Sequence, residues 1–329
     1  MDGPAALVLV CALAGGSWLA LAAAIPVTRL RARRRRRLVL VARAERVVHD
    51  DALVGAQGPT TRALLERGLR DPERDVRVAA ITSLAGLAAS HEWAVDGLIE
   101  ALANELETPG RVAAELDRLA PRPAHRLVPL LVHPSDVVRF YAVRLLARYP
   151  ELARRHVPGV TRDRSPNVRA GALETLRDSG SAEALRCALV LLGDPQPFVR
   201  AHAARTACAI AGCSAATFVT PLLADSSWWV REAVRESLAR IGPDVASVVM
   251  PLLDEEDAGT RTAAALVLQD VGVLDRLAQG EEVATARDST QLERILDAGG
   301  PRLRRVASER AQRRVTLRPT PPPRLEPAT

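Results

Sequence analysis

The sequence has no lysine and very few aromatic residues. All 45 basic residues are arginine, and Phe, Trp and Tyr together make up 3% of the 329 residues. A buried core must therefore be aliphatic and rich in alanine, whose small side chain lets helices pack closely. The exclusive use of arginine is typical of the codon bias of a GC-rich bacterial genome, and it is discounted as evidence of function.

The common signatures of catalysis and of cofactor binding are also missing. The sequence contains no Gly-rich phosphate loop, no GxSxG or HExxH motif and no kinase signature. Its four cysteines lack CxxC spacing, and its six histidines are scattered along the chain. We expect no enzyme activity, no cofactor and no metal site, and we expect the cysteines to be small buried thiols in a reducing compartment.

One long hydrophobic run is present, from Ala5 to Val27, and it carries no charge. Its 23 residues are enough for a helix to cross a hydrocarbon core of about 30 Å. The alternative, a cleaved signal peptide, is opposed by Asp2 and the absence of a basic residue before the run. Seven arginines follow the run at once: Arg29, Arg31, Arg33, Arg34, Arg35, Arg36 and Arg37. They predict the cytoplasmic side of a single-pass inner-membrane anchor, with the N-terminus outside.

Electrostatics predicts that the seven arginines bind anionic lipid headgroups. A ladder of small residues at Ala12, Gly16, Ala20 and Ala24 would allow a homodimer through the transmembrane helix, although an alanine-rich chain makes this signal weak. Between the two basic ends, residues 38–298 hold 30 arginines against 36 acids, a net charge of −6. This acidic body makes nucleic acid an unlikely partner.

A short phrase recurs through the body of the chain: an acid, then Val and Arg at the fifth and sixth positions after it. The closing arginines are Arg77, Arg111, Arg139, Arg169, Arg200, Arg231 and Arg261, at spacings of 34, 28, 30, 31, 31 and 30. The acid positions hold Asp71, Glu105, His133, Asp163, Asp194, Asp225 and Glu255. Such a period predicts a stacked array of seven units, each with a second helix that starts at the arginine.

These units resemble the HEAT repeat, in the short form seen in relatives of phycobilisome lyases. The resemblance covers roughly residues 60–275 and implies an α-solenoid of antiparallel helix pairs whose second helices line a concave face. It also implies a ladder in which each arginine contacts the acid of the adjacent unit. The predicted ladder residues are Asp71, Arg77, Arg139, Asp163, Arg169, Asp194, Arg200, Asp225, Arg231 and Arg261. Four prolines at one register (Pro129, Pro158, Pro221 and Pro251) predict bends in the first helices.

The slots that the phrase leaves free carry most of the large apolar side chains, and we expect them to form a protein-binding strip. The turn before each second helix would present one edge of the array, and aromatic anchors are favoured in interfaces. The predicted strip comprises Val137, Phe140, Tyr141, Phe198, His202, Trp228 and Trp229. The alternative is that Phe198 and Trp229 only pack between units.

The sequence therefore predicts an all-α protein of about seven HEAT-like helix pairs behind one transmembrane helix. The expected segments are an anchor (1–27), a basic segment (28–37), a cap helix and linker (38–59), the solenoid (60–285), C-terminal helices (286–316) and a disordered proline-rich tail (317–329). The expected function is a membrane-anchored, cytoplasm-facing scaffold or regulatory subunit that binds proteins in the same membrane. The alternatives are a HEAT-like nucleic-acid-binding or repair protein and a lyase-like chaperone that loads a cofactor onto a client.

Overall fold

The computed structural model describes residues 59–278 and 286–317, and all regular structure in these ranges is helical. The predicted all-α class is confirmed for them. The predicted transmembrane helix, arginine run, cap helix and proline-rich residues 318–329 lie outside the described ranges. Within those ranges, no helix combines the length and the apolar character needed to cross a bilayer.

Seven helix pairs follow one another in residues 59–270. The pairs are α1 (Pro59–Leu69) with α2 (Arg74–Ala88), α3 (Glu92–Ala103) with α4 (Pro109–Arg118), α5 (Ala124–Leu127) with α6 (Asp136–Leu146), α7 (Pro150–Val160) with α8 (Pro166–Arg177), α9 (Ala182–Leu191) with α10 (Pro197–Ala211), α11 (Cys213–Val219) with α12 (Trp228–Ile241), and α13 (Ala246–Val249) with α14 (Ala258–Asp270). Two further helices follow, α15 (Val273–Ala278) and α16 (Ala286–Leu317). The chain divides between Tyr149 and Pro150 into two compact units, so the first holds three pairs and the second holds four pairs with α15 and α16.

The core of the second unit is built largely from small side chains. Ala203, Ala204 and Ala207 of α10 are fully buried, and they follow the phrase arginine by three, four and seven residues, the spacing of one helix face. Thr206 on the same helix donates its hydroxyl hydrogen bond to the carbonyl oxygen of Leu173 in α8, at 3.1 Å. Small residues on this face thus let α8 and α10 pack side by side.

The prolines of the first helices bend three of them. Pro129, Pro221 and Pro251 each take the second position of a 3₁₀ segment that continues the first helix of a pair. Proline has no backbone N–H to donate, so it favours a change of helix geometry at this point. Pro158 differs, because it lies inside the single helix α7.

The second helices begin earlier than the phrase predicts. We expected the helix to start at the arginine, but α2 starts at Arg74, so Arg77 is its fourth residue. The same offset holds for Arg139, Arg169, Arg200, Arg231 and Arg261. In α8 and α10 a proline opens the helix, where its fixed φ suits the first turn. The free slots of the phrase therefore lie in the first turn of a helix and not in the preceding loop.

Candidate protein-binding site

Six of the seven phrase arginines, all except Arg111, bind carbonyl oxygens of their own loop. The Nη1 of Arg200 donates to the carbonyl oxygens of Asp194 and Pro195, at 2.8 and 3.3 Å. The same pair of bonds is made by Arg77, Arg139, Arg169, Arg231 and Arg261. The guanidinium thus donates hydrogen bonds to two loop carbonyl oxygens that receive none from the backbone N–H groups of a helix.

In the second unit the arginine also reaches the next pair. The Nε and Nη2 of Arg169 donate to Asp194 at 2.8 and 2.9 Å, and those of Arg200 donate to Asp225 at 2.7 and 2.8 Å. The side chains of Asp194 and Asp225 are only 3% and 7% exposed. The hydrogen bond from Arg200 lowers the pKa of Asp225, against the opposing effect of burial.

The aspartates of the phrase do not cap the second helix. Each accepts a hydrogen bond from the backbone N–H two residues on, as Asp194 does from Gln196 and Asp225 does from Ser227, at 2.9 and 2.8 Å. An aspartate side chain commonly folds a turn in this way. Asp194 and Asp225 therefore shape their loops through Oδ1, while both of their carboxylate oxygens accept hydrogen bonds from the arginine of the preceding pair.

The first unit uses a different acid from the one predicted. Glu105 stands at the phrase position but is exposed, with a positive φ of 49° after α3. Glu107 takes the place instead: its side chain is 2% exposed and contacts Arg74 and Arg77 at 3.0 and 3.2 Å. The buried acid of this loop thus lies two residues nearer to α4 than the register of the phrase places it. Burial raises the pKa of Glu107, but hydrogen bonds from Thr108 and Arg74 outweigh burial and bring it to about 2.

Trp228 and Trp229, which we call the tryptophan edge, open helix α12. Their side chains are the most exposed of the predicted strip, at 64% and 48%. The two rings meet edge to face with centroids 5.4 Å apart. The next residue, Val230, is fully buried. Val230 therefore contributes to the core at this point of α12, while the tryptophans lie outside the core.

The other predicted strip residues of the second unit are less exposed. Phe198, at the position of Trp229 in the preceding pair, packs partly buried against the core. His202 is partly buried, with its Nδ1 3.7 Å from Glu174. Burial lowers the pKa of His202, and Glu174 opposes that effect. These two side chains therefore support packing more than they present a surface.

The first unit holds the remaining strip residues on α6. Val137 is 39% exposed, and the rings of Phe140 and Tyr141 meet edge to face at 5.3 Å. The guanidinium of Arg144 lies 5.7 Å from the centroid of Phe140. Each of these aromatic side chains is partly buried, so Val137 is the exposed member of this group.

Sequence reasoning missed two features of the second unit. Phe218 on α11 is 59% exposed, on the opposite helix of the pair from the tryptophan edge. Glu255 and Glu256 are both exposed in the loop before α14. A run of acids at the start of a phrase was the available signal for the second feature. No group of three or more metal-ligating side chains gathers anywhere in 59–278 or 286–317, and Cys187, Cys208 and Cys213 there are free thiols.

Comparison with known proteins identifies the repeat. Residues 157–239 and 188–269 match the family model for HEAT repeats. Residues 157–269 are therefore similar to HEAT repeats. The solved structure of the complex of CpcE and CpcF of phycocyanin lyase from Nostoc sp. PCC7120 is similar at 20% identity, with a TM-score of 0.37, covering 74% of this chain and 97% of that one. No curated protein matches.

Proposed function

We propose that the protein is a non-enzymatic scaffold or regulatory subunit, anchored in the inner membrane, whose HEAT repeats bind another protein on the cytoplasmic side. Stacked helix pairs of this kind present extended surfaces that repeat proteins use for binding. The tryptophan edge is the observation that carries the proposal. It places two large apolar rings in solvent at a defined point of the array.

The stacking of the repeats does not require these rings. The two positions of the tryptophan edge are held by Pro166 and Asn167 in α8 and by Ala258 and Gly259 in α14. An aromatic pair is therefore a feature of one repeat and not of the fold. Tryptophan is among the residues most enriched in interface hot spots, which supports a partner at this edge.

The membrane part of the proposal rests on the sequence alone. An uncharged run of 23 residues followed by seven arginines supports an anchor whose following residues face the cytoplasm. Anchoring would confine the repeats to the plane of the membrane and raise their effective concentration toward membrane partners. A topology reporter fused after Thr329 should be active only inside the cell, and activity outside would overturn the location.

The binding part is tested by photocrosslinking in native membranes. A photoreactive residue at position 229 should capture a protein that the same residue at position 218 does not, because position 218 is equally open but lies on α11. Capture at both positions, or at neither, would contradict the proposal. Salt-sensitive DNA binding by the purified chain, or a pigment or cofactor that co-purifies with it, would favour the two alternative functions.

A further inference from the structure

We propose that the proline-rich segment 318–329 docks on the tryptophan edge of its own chain and competes there with the protein partner. The inference rests on the proposed function, because it concerns the regulation of the same surface. Three observations carry it: the acids beside the edge, the composition of the segment, and the place where the last helices pack.

The arginine ladder stops at the tryptophan edge. Arg169 and Arg200 each hold the acid of the next pair, but within the described residues no ion pair joins Arg231 to Glu255. The phrase is one residue shorter here, with 30 residues between Arg231 and Arg261. The cap of α14 is made by Asp257, which accepts from the backbone N–H and the hydroxyl of Thr260 at 2.6 and 2.7 Å.

This interruption leaves two carboxylates available. Glu255 and Glu256 are exposed, and the hydrogen bonds that the described residues make to them, from Arg261 and to Leu252, involve their backbone atoms. They align in the phrase with Asp225 and Ser226, which stand three and two residues before Trp228 in the pair before. Neighbouring second helices lie roughly 10 Å apart, so the edge offers two apolar rings beside two carboxylates. A ligand that fits should be apolar and extended, with positive charges.

Segment 318–329 has this composition. It reads RPTPPPRLEPAT and contains five prolines and two arginines. Proline-rich chains favour the extended polyproline II conformation, which binds to aromatic side chains at low entropic cost. Arg318 and Arg324 can each pair with a carboxylate or stack on an indole ring. The charges and the apolar surfaces of segment and edge are therefore complementary.

The first part of α16 packs against the second unit on the side that holds the start of α14. Arg294 of α16 contacts Asp254 at 2.5 Å, and Thr262 of α14 donates to the carbonyl of Ala298 at 3.1 Å. Both contacts lie at the N-terminal end of α14, next to Glu255 and Glu256. At Gly300, with a φ of 65°, α16 breaks and starts a new direction.

The segment is long enough to return to this end. The second part of α16, from Pro301 to Leu317, spans about 25 Å at the helical rise. The twelve residues that follow span about 37 Å as polyproline II. Because the segment is longer than the second part of α16, it is long enough to return to the start of α14, where Thr262 contacts Ala298 just before that part of α16 begins.

The test titrates a labelled synthetic peptide of residues 316–329 into two proteins, the full chain and the chain ending at Leu317. The shortened chain should bind the peptide. The full chain should bind it more weakly at every protein concentration, because its own segment holds the edge at a high effective concentration. Replacing both tryptophans by alanine should weaken peptide binding roughly thirtyfold, while Phe218→Ala should leave it unchanged.

A charge exchange between the edge and the peptide tests the proposal even if the double tryptophan variant folds poorly. Glu255→Arg with Glu256→Arg should weaken binding roughly twofold to fivefold per lost pair, and a peptide with Arg318→Glu and Arg324→Glu should restore it. No binding to the shortened chain, or equal binding to both chains, would overturn the proposal. Competition that grows with protein concentration would also overturn it, since the segment would then occupy a second copy. None of these results would affect partner capture from position 229, which tests the proposed function separately.

Discussion

Arg200 and Asp225 join two consecutive helix pairs through two parallel hydrogen bonds, from Nε and Nη2, at 2.7 and 2.8 Å. The same guanidinium binds the carbonyl of Asp194 at 2.8 Å. One side chain therefore fixes its own loop and the next repeat together, which explains why the arginine recurs at this position.

Breaking this pair should destabilise the second unit. Asp225→Asn leaves Arg200 without a counter-charge at a site where the arginine side chain is only 14% exposed. We expect a loss of about 3 kcal/mol in the free energy of unfolding, measured by chemical denaturation. The control Glu183→Gln breaks an exposed pair with Arg186 and should cost about 0.5 kcal/mol or less. Equal costs for the two variants would show that the ladder does not hold the stack.

Glu107 should make the first unit sensitive to acid at low pH only. Its folded pKa of about 2 lies below the ordinary value of 4.5, so its contribution to stability is complete above pH 4.5 and is lost as the pH falls toward 2. The stability difference between the wild type and Glu107→Gln should therefore shrink across that window. The exposed Glu105→Gln is the control. A difference that stays constant from pH 6 to pH 2.5 would contradict the assigned contacts.

Cys208 should resist alkylation in the folded protein. Its side chain is buried, and burial raises its pKa to about 12, so very little thiolate is present at pH 8. Cys213 is more exposed and donates to the carbonyl of Asp244 at 3.5 Å. Iodoacetamide with peptide mass spectrometry should label Cys213 first, and Cys208 only after unfolding. Equal rates for both cysteines in the folded protein would contradict the packing of α10.

Phe198 and Trp229 occupy the same position of the phrase, but we expect their replacement by alanine to lower the free energy of unfolding by different amounts. Phe198→Ala removes a ring that packs on the core, and it should cost about 2 kcal/mol, roughly half the cost of a fully buried ring. Trp229→Ala removes a ring that is 48% exposed, and it should cost clearly less in the same denaturation experiment. A larger cost for Trp229→Ala would mean that the tryptophan packs between repeats and is not available to a partner.

The sequence predicts the repeat well because every unit must pack against its neighbours in the same way. Six of the seven phrase arginines bind their own loop carbonyls, so the spacing of the arginines reports seven helix pairs even though no single copy is diagnostic. The prediction fails where the buried acid leaves the register of the phrase. In the loop before α4 the register points to Glu105, but the acid that contacts Arg74 and Arg77 is Glu107.

The exposure of the free slots could not be predicted from the phrase. Phe198 and Trp229 occupy the same position of consecutive pairs, yet one packs on the core and the other is open to solvent. The difference depends on the side chains that neighbouring helices supply, which a repeat pattern does not encode. For the same reason the availability of Glu255 and Glu256 becomes evident only when the ladder is followed from one pair to the next.

Partner capture by the tryptophan edge is the most direct test of the account. The measurement compares the amount of protein co-purified from solubilised membranes by the wild type, by Trp228→Ala with Trp229→Ala, and by Phe218→Ala, with folding of each checked by denaturation. The account predicts that the double tryptophan variant keeps its fold and loses the captured protein, while Phe218→Ala retains it. Undiminished capture by the folded double variant would contradict the account.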